Sequence, residues 1–257
     1  MTIFFRRQPP GRLITAGFAA VILVGALLLC MPFSVRSGAE VSFIDALFTS
    51  TSAVCVTGLI AIDTADHFTA FGQGLVAVLI QIGGLGVSSV GVGLMLAAGK
   101  RVSIKSRLLV KEALNIDNYR GIVRLVKAVL FMTVSFEAVG ALLSFLVFSQ
   151  DYEPLHAAGI SIFHSVAAFN NSGFDILGGL RNLIPYQENI LLNFTTSFLI
   201  LAGGLGFLVI LDIGRHRRFK LLSFHSKIVI VTSAVLVASD VSFKVDRDIS
   251  LAWSVFH

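Results

Sequence analysis

A chain of 257 residues that is 55% hydrophobic and only 14% charged has too few charges to coat a soluble globule of its size, so it belongs with integral membrane proteins. Its net charge of +5 is gathered in basic blocks beside apolar runs, a distribution that sets membrane orientation and argues against nucleic acid as a partner. Cys30 and Cys55 have no pairing rhythm and the six histidines no ligand spacing, which excludes a disulfide framework and a zinc site as organising features.

Arg6, Arg7 and Arg12 precede the apolar run Leu13 to Met31, long enough at about 1.5 Å per residue to cross a hydrocarbon core of about 30 Å. The run exceeds a signal-peptide core and no small-x-small site follows it. It is therefore expected to be a retained first span with a cytoplasmic N-terminus. Residues 32–69 carry one basic residue, Arg36, against Glu40, Asp45, Asp63 and Asp66, and are assigned outside. Within them Ser42 and Asp45 have the spacing of a capping box, predicting a short helix from Phe43 to about Ala53. That helix is too short to span and runs into a polar stretch, as a re-entrant helix does.

The second span, 70–99, holds Gly72, Gly74, Gly83, Gly84, Gly86, Gly91, Gly93 and Gly99. Small residues let membrane helices approach closely, so the Gly83-Gly84-Leu85-Gly86 run signals packing and bending and not a nucleotide loop. Residues 100–121 form a basic loop (Lys100, Arg101, Lys105, Arg107, Lys111 and Arg120 against Glu112 and Asp117), which places it in the cytoplasm. A third span runs from about Ile122 to Phe148 and contains Glu137, which reads equally as a hydrogen-bonded structural acid or as a group on an ion path.

Residues 150–188 again face outside, with Arg181 against Asp151, Glu153, Asp175 and Glu188. Pro154 suits the first turn of a second short helix reaching Ala168. A fourth span covers 189–213, where Gly203-Gly204-Leu205-Gly206 echoes the earlier glycine run, and Arg215, Arg217, Arg218, Lys220 and Lys227 mark a second cytoplasmic segment. The apolar run Lys227 to Val237 is short for a span, and Ser254-Val255-Phe256-His257 echoes Ser161-Ile162-Phe163-His164. The expected organisation is one all-α membrane domain: a first membrane-pore-membrane repeat at 13–99, a basic loop, a second repeat at 122–213, a basic loop at 214–227 and an incomplete third repeat at 228–257. Whether 228–238 crosses the bilayer is left open. The two complete repeats share one orientation, which argues against an inverted-repeat carrier.

The polar stretches carry the chemistry. Phe48, Ala53, Thr57 and Gly58 align with Phe163, Ala168, Ser172 and Gly173 at a constant offset of 115 residues. A cation leaving water needs oxygens to replace its hydration shell, and irregular backbone lining a cavity supplies carbonyls. Glycine accepts positive φ, which lets consecutive carbonyls face one way, and the short helices end with the negative pole of their dipoles aimed at the loops. One such stretch would read as a polar kink with Ser, Thr and Asn bonded to the main chain; two in register favour a filter. Asn170-Asn171-Ser172 and Asn193-Phe194-Thr195 match the glycosylation pattern but are expected at membrane depth. No Walker loop, nucleophile elbow or His-Glu zinc motif is present in the sequence, so no enzymatic chemistry is expected.

Thr51 to Leu59, with Gln81-Ile82-Gly83-Gly84-Leu85-Gly86 and Lys111-Glu112-Ala113-Leu114-Asn115, resembles the membrane subunit of the Trk/Ktr/HKT potassium uptake superfamily, closest to the bacterial Ktr type; Ala168 to Phe174 resembles that family's second filter. The resemblance extends to about Lys227. It implies a potassium-channel-like fold of four membrane-pore-membrane repeats in the cell membrane, with a filter glycine in each, matched here by Gly58 and Gly173. The K+-contacting backbone set is then Val56, Thr57, Gly58, Asn171, Ser172 and Gly173, with no covalently bound cofactor and Na+ as a candidate coupling ion. It also implies a homodimer regulated by a cytoplasmic nucleotide-binding subunit. Two filters stand where the family uses four, and the third repeat's gating loop is missing. By itself the chain is therefore expected to be a fragment, a truncated product or half of a pore completed elsewhere, the alternative being a non-conducting remnant or assembly partner. Channel-like and sodium-coupled transport both remain open.

Overall fold

The computed structural model describes residues 9–99, 102–114, 121–216 and 218–255, without the side chains of Lys105 and of 240–255. Arg6, Arg7, Lys100, Arg101, Asn115, Asp117, Arg120, Arg217, Phe256 and His257, on which some of the expectations above fall, lie outside the described residues. Two compact units are present, Met1–Gly204 and Leu205–His257.

Among its described residues the first unit holds the α-helices α1 (Pro10–Leu29), α2 (Phe43–Cys55), α3 (Thr64–His67), α4 (Ala70–Leu85), α5 (Val87–Ala97), α6 (Ile104–Ala113), α7 (Ile122–Phe148), α8 (Pro154–Phe169) and α9 (Ile190–Gly204). α1 starts on Pro10, whose fixed φ and missing N–H suit the first turn, and beyond Arg12 continues as a largely apolar run. α2 starts on the capping box: the Asp45 N–H donates to Ser42 Oγ (3.2 Å) and the Ser42 N–H donates back to Asp45 Oδ2 (3.1 Å). The Ser42 hydroxyl and then its N–H hold the Asp45 carboxyl below the usual carboxylate range. α8 starts on Pro154 and ends one residue beyond the expected Ala168.

The second span differs from a straight helix, as its glycine run signalled. α4 and α5 meet at a bend of 106°, because Gly86 adopts φ 79°, ψ 133°, a conformation open to glycine and closed to helix continuation. The fourth differs similarly: the helix stops at Gly204, and Gly206 has φ 86°. Hydropathy alone ran straight through both breaks.

α2 docks on α1 and α4, α8 docks on α7 and α9, and α4 packs against α8. The two dockings use matching contacts. Ser50 Oγ donates to the Ile22 carbonyl (2.8 Å), and Ser165 Oγ donates to the Glu137 carbonyl (2.7 Å). A Cβ on Gly25 would stand 2.5 Å from Ser50 Oγ, and one on Gly140 2.5 Å from Ser165 Oγ, so both approaches require glycine. The main core joins α1, α2, α4, α7 and α8 through Leu29, Val54, Ile80, Phe148 and Ile160; a smaller one joins α5, α6 and α7 through Val92, Val110 and Val126. Between the loops around residues 63 and 180 the Leu180 N–H donates to Asp63 Oδ2 (2.7 Å) and the Gly179 N–H to Asp66 Oδ2 (3.1 Å), while Asp63 also caps α3.

The second unit holds α10 (Phe207–His216) and α11 (Phe224–Val255). Asp212 ties the turn between them, accepting from the Ser223 N–H (2.9 Å) and from Ser226 Oγ (2.6 Å). The short apolar run expected near 227–237 is the first part of a 32-residue helix that stays apolar to Ser239. α1 and α7 are each long and apolar enough to cross a bilayer, and α4 with α5 and α9 with α10 add two broken candidate spans. Among the described residues the only strand-like feature is an isolated bridge between Val35 and Phe68. The protein is an all-α, multi-pass membrane protein.

Candidate functional site: two abutting loops at the ends of short helices

Both short helices end in the same way. After α2 the Val56 N–H donates to the Ala53 carbonyl (3.2 Å) and the Thr57 N–H to the Ser52 carbonyl (3.0 Å). After α8 the Asn171 N–H donates to the Ala168 carbonyl (3.1 Å) and the Ser172 N–H to the Ala167 carbonyl (2.9 Å). These are the paired bonds of a Schellman ending, which demands a left-handed residue just past the helix. Val56 (φ 55°) and Asn171 (φ 56°) fill that place. Asn tolerates the left-handed region well; a β-branched valine there is strained, and such strain gathers at functional sites.

Gly58 (φ 72°) and Gly173 (φ 74°) are the next positive-φ residues, so in each loop a residue of ordinary φ, Thr57 or Ser172, stands between two left-handed ones. The loops touch at their glycines. A Cβ on Gly58 would stand 2.5 Å from the Ser172 carbonyl oxygen and 3.4 Å from Gly173 Cα, and one on Gly173 would stand 3.5 Å from Gly58 Cα. All six residues named from the sequence are thus gathered at one place. Ser172 is buried, whereas Thr57, Asn171 and Gly173 are exposed. Thr57 Oγ1 donates to Ser52 Oγ (3.0 Å), which satisfies a hydroxyl near the loop without water.

The glycine runs explain how the loops are held. A Cβ on Gly83 would collide with the Val54 carbonyl, and one on Gly203 with the Phe169 carbonyl, so α4 and α9 pass against the last turns of α2 and α8. Gly84 leaves room for the Asn170 side chain. The Asn170 amide donates to Gln81 Oε1 (3.0 Å), to Glu137 Oε1 (3.4 Å) and to the Val166 carbonyl (2.9 Å). With its amide oriented to satisfy both ends, Asn171 donates to the Ile200 carbonyl (3.2 Å) and accepts from the Gly204 N–H (3.3 Å). Glu137 therefore has the polar partner that an intramembrane carboxylate requires. Sequence reasoning gave Asn170 and Gln81 no role.

A cavity of about 260 Å³ opens beside the second loop, lined by His164, Asn171, Gly173, Asp175 and Thr196 among others. His164 Nε2 lies 2.9 Å from Thr196 Oγ1. Asp175, just past the loop, has its carboxyl pushed up by burial and further by the nearby Asp63 charge, against the pull of the Leu177 N–H.

Comparison with known proteins gives this geometry its context. The family model described as TrkH, cation transport protein, matches residues 14–240. The chain is 42% identical over 232 residues to the potassium/sodium uptake protein NtpJ of Enterococcus hirae, covering 90% of this chain and 51% of that one. It is 38% identical over 232 residues to Ktr system potassium uptake protein B of Bacillus subtilis (90% and 51% covered) and 38% identical over 230 residues to Ktr system potassium uptake protein B of Vibrio alginolyticus (88% and 49%). It spans about half the length of these relatives. The family is one of transporters and not of enzymes, and the chain belongs to it: this is a member of the TrkH family of cation transport proteins.

Proposed function

We propose that the chain supplies two of the pore loops of a potassium uptake pathway, with the backbone oxygens of Val56, Thr57, Gly58, Asn171, Ser172 and Gly173 replacing the hydration shell of K+. One observation carries this reading: both loops place positive-φ residues two apart, at 56 and 58 and at 171 and 173, and meet at Gly58 and Gly173. Alternating the sign of φ turns successive carbonyls toward a common side, and the C-terminal poles of α2 and α8 add partial negative charge there. The relatives' names, potassium/sodium uptake protein and potassium uptake protein, agree with this chemistry.

Two loops surround an ion on only part of its circumference, so the pathway requires further loops of the same kind. In this reading the protein lies in the cell membrane with its N-terminus in the cytoplasm, and the repeats are 13–99 and 122–213, with 228–257 beginning a third. It works as a homodimer with a cytoplasmic nucleotide-binding regulatory subunit, and Na+ is the candidate coupling ion. The test is rubidium uptake by a bacterial strain lacking its own potassium uptake, using this chain joined to the C-terminal half of a relative. Gly58→Ser is expected to lower the preference for Rb+ over Na+; an unaltered preference overturns the proposal.

A further inference from the structure

We propose that Asn170, Gln81 and Glu137 form a brace that positions the second loop and so sets ion discrimination without touching the ion. The inference rests on the pore-loop reading above and deepens it. Asn170 is the last residue before the left-handed turn at Asn171, so any shift of its side chain is passed directly to Ser172 and Gly173. Its amide nitrogen reaches three acceptors on three helices: Gln81 on α4 (3.0 Å), Glu137 on α7 (3.4 Å) and Val166 on α8 itself (2.9 Å). Gly84 supplies the space in which the amide sits, since a side chain there would overlap Asn170 Oδ1.

Among the described residues the first loop shows no such device. Cys55 occupies the place equivalent to Asn170 at the same 115-residue offset, and it is a free, exposed cysteine. The first loop is held by its helix ending and by close packing on Gly83. The second is bonded in addition to α4, which packs against α2 on the other side of the first loop. The Ser172 carbonyl lies against Gly58, so fixing the second loop also fixes the spacing between the two loops. All three side chains are half-buried, and removing one member leaves its partners with an unmet hydrogen-bonding group. Asn170 and its partners are positioning residues; nothing in their geometry places them on the ion path.

The test uses the chimaera described above, with competing Rb+ and Na+ uptake resolved into apparent KM and maximal rate. Gln81→Leu and Glu137→Leu are each expected to lower the Rb+/Na+ selectivity ratio roughly tenfold through KM, with less than about a twofold change in maximal rate, as follows from losing one half-buried hydrogen bond to a pore loop. Glu137→Gln keeps an oxygen facing the amide and should rescue the ratio to within about twofold of the parent. Asn170→Leu should match the two leucine variants; if it fails to reach the membrane, the decision rests on Gln81 and Glu137, which lie outside the loop. Gly58→Asp separates the two readings. If it leaves the ratio unchanged, the pore-loop reading falls and the brace with it. If it collapses the ratio while Gln81→Leu and Glu137→Leu leave it at the parental value, or lower only the maximal rate, the brace is overturned and the pore loops stand.

Discussion

Two glycines on one helix separate close packing from mere helix composition. Gly83 and Gly74 both lie within α4, but a Cβ on Gly83 would run into the Val54 carbonyl, whereas nothing stands within 4 Å of one on Gly74. Alanine gains about 0.5–1 kcal/mol over glycine in a helix interior at either place. At Gly74 that gain should appear in full. At Gly83 the obstacle is backbone at the end of α2, which no rotamer change can move aside, and overpacking of this kind costs about 1–3 kcal/mol. The two variants should therefore differ by about 1–3 kcal/mol, or roughly 2–12 °C in melting temperature for a domain of this size. The assay is thermal unfolding of the detergent-purified protein with both variants in parallel. If Gly83→Ala melts at or above Gly74→Ala, α4 does not press on the end of α2 as described.

Asp63 is buried, caps α3 and accepts from the Leu180 N–H, so Asp63→Ala should cost about 2–4 kcal/mol in chemical unfolding and Asp63→Asn, which keeps an acceptor, about half as much. Asp45 has a folded carboxyl pKa below its unfolded value of about 3.9, so the stability it contributes is complete above that pH and is lost as the pH falls through the folded value. Ser42→Ala should flatten that acid limb, read as melting temperature against pH between about 2 and 5. For Asp175, whose carboxyl is raised, the sign reverses: Asp175→Asn should remove a destabilising contribution that grows as the pH rises above the unfolded carboxylate range, and so raise the melting temperature at neutral pH relative to pH 4.

The elements that could be read from the chain were those with a local signal. The Ser42 and Asp45 pair fixed the start of α2, Pro154 the start of α8, and the largely apolar run from Ile122 the whole of α7. The constant offset of 115 aligns Gly58 with Gly173 in the sequence, and the same offset relates Ser50 to Ser165 and Gly25 to Gly140, two pairs that could have been found in the same way. The glycine runs at 83–86 and 203–206 signalled bending, but the size of the break at Gly86 was not legible because hydropathy does not register backbone angle. Val56 was hidden for the opposite reason: nothing about a β-branched residue advertises a left-handed conformation, and only the matching helix ending at Asn171 would have suggested it. The contacts of Asn170 reach residues 33 and 89 positions away, separations at which a local pattern carries no information. Asp63 likewise looked like one more acid on an outside loop, because its partner at Leu180 is 117 positions distant.

The account depends on main-chain oxygen at Gly58 and Gly173 facing a dehydrated monovalent cation. The most direct measurement is anomalous diffraction from crystals of the completed transporter grown in rubidium or thallium salts. Ion density should lie on the carbonyls of residues 56–58 and 171–173 and should vanish when Rb+ is replaced by Na+. Density placed elsewhere, or unchanged by the exchange, would contradict it.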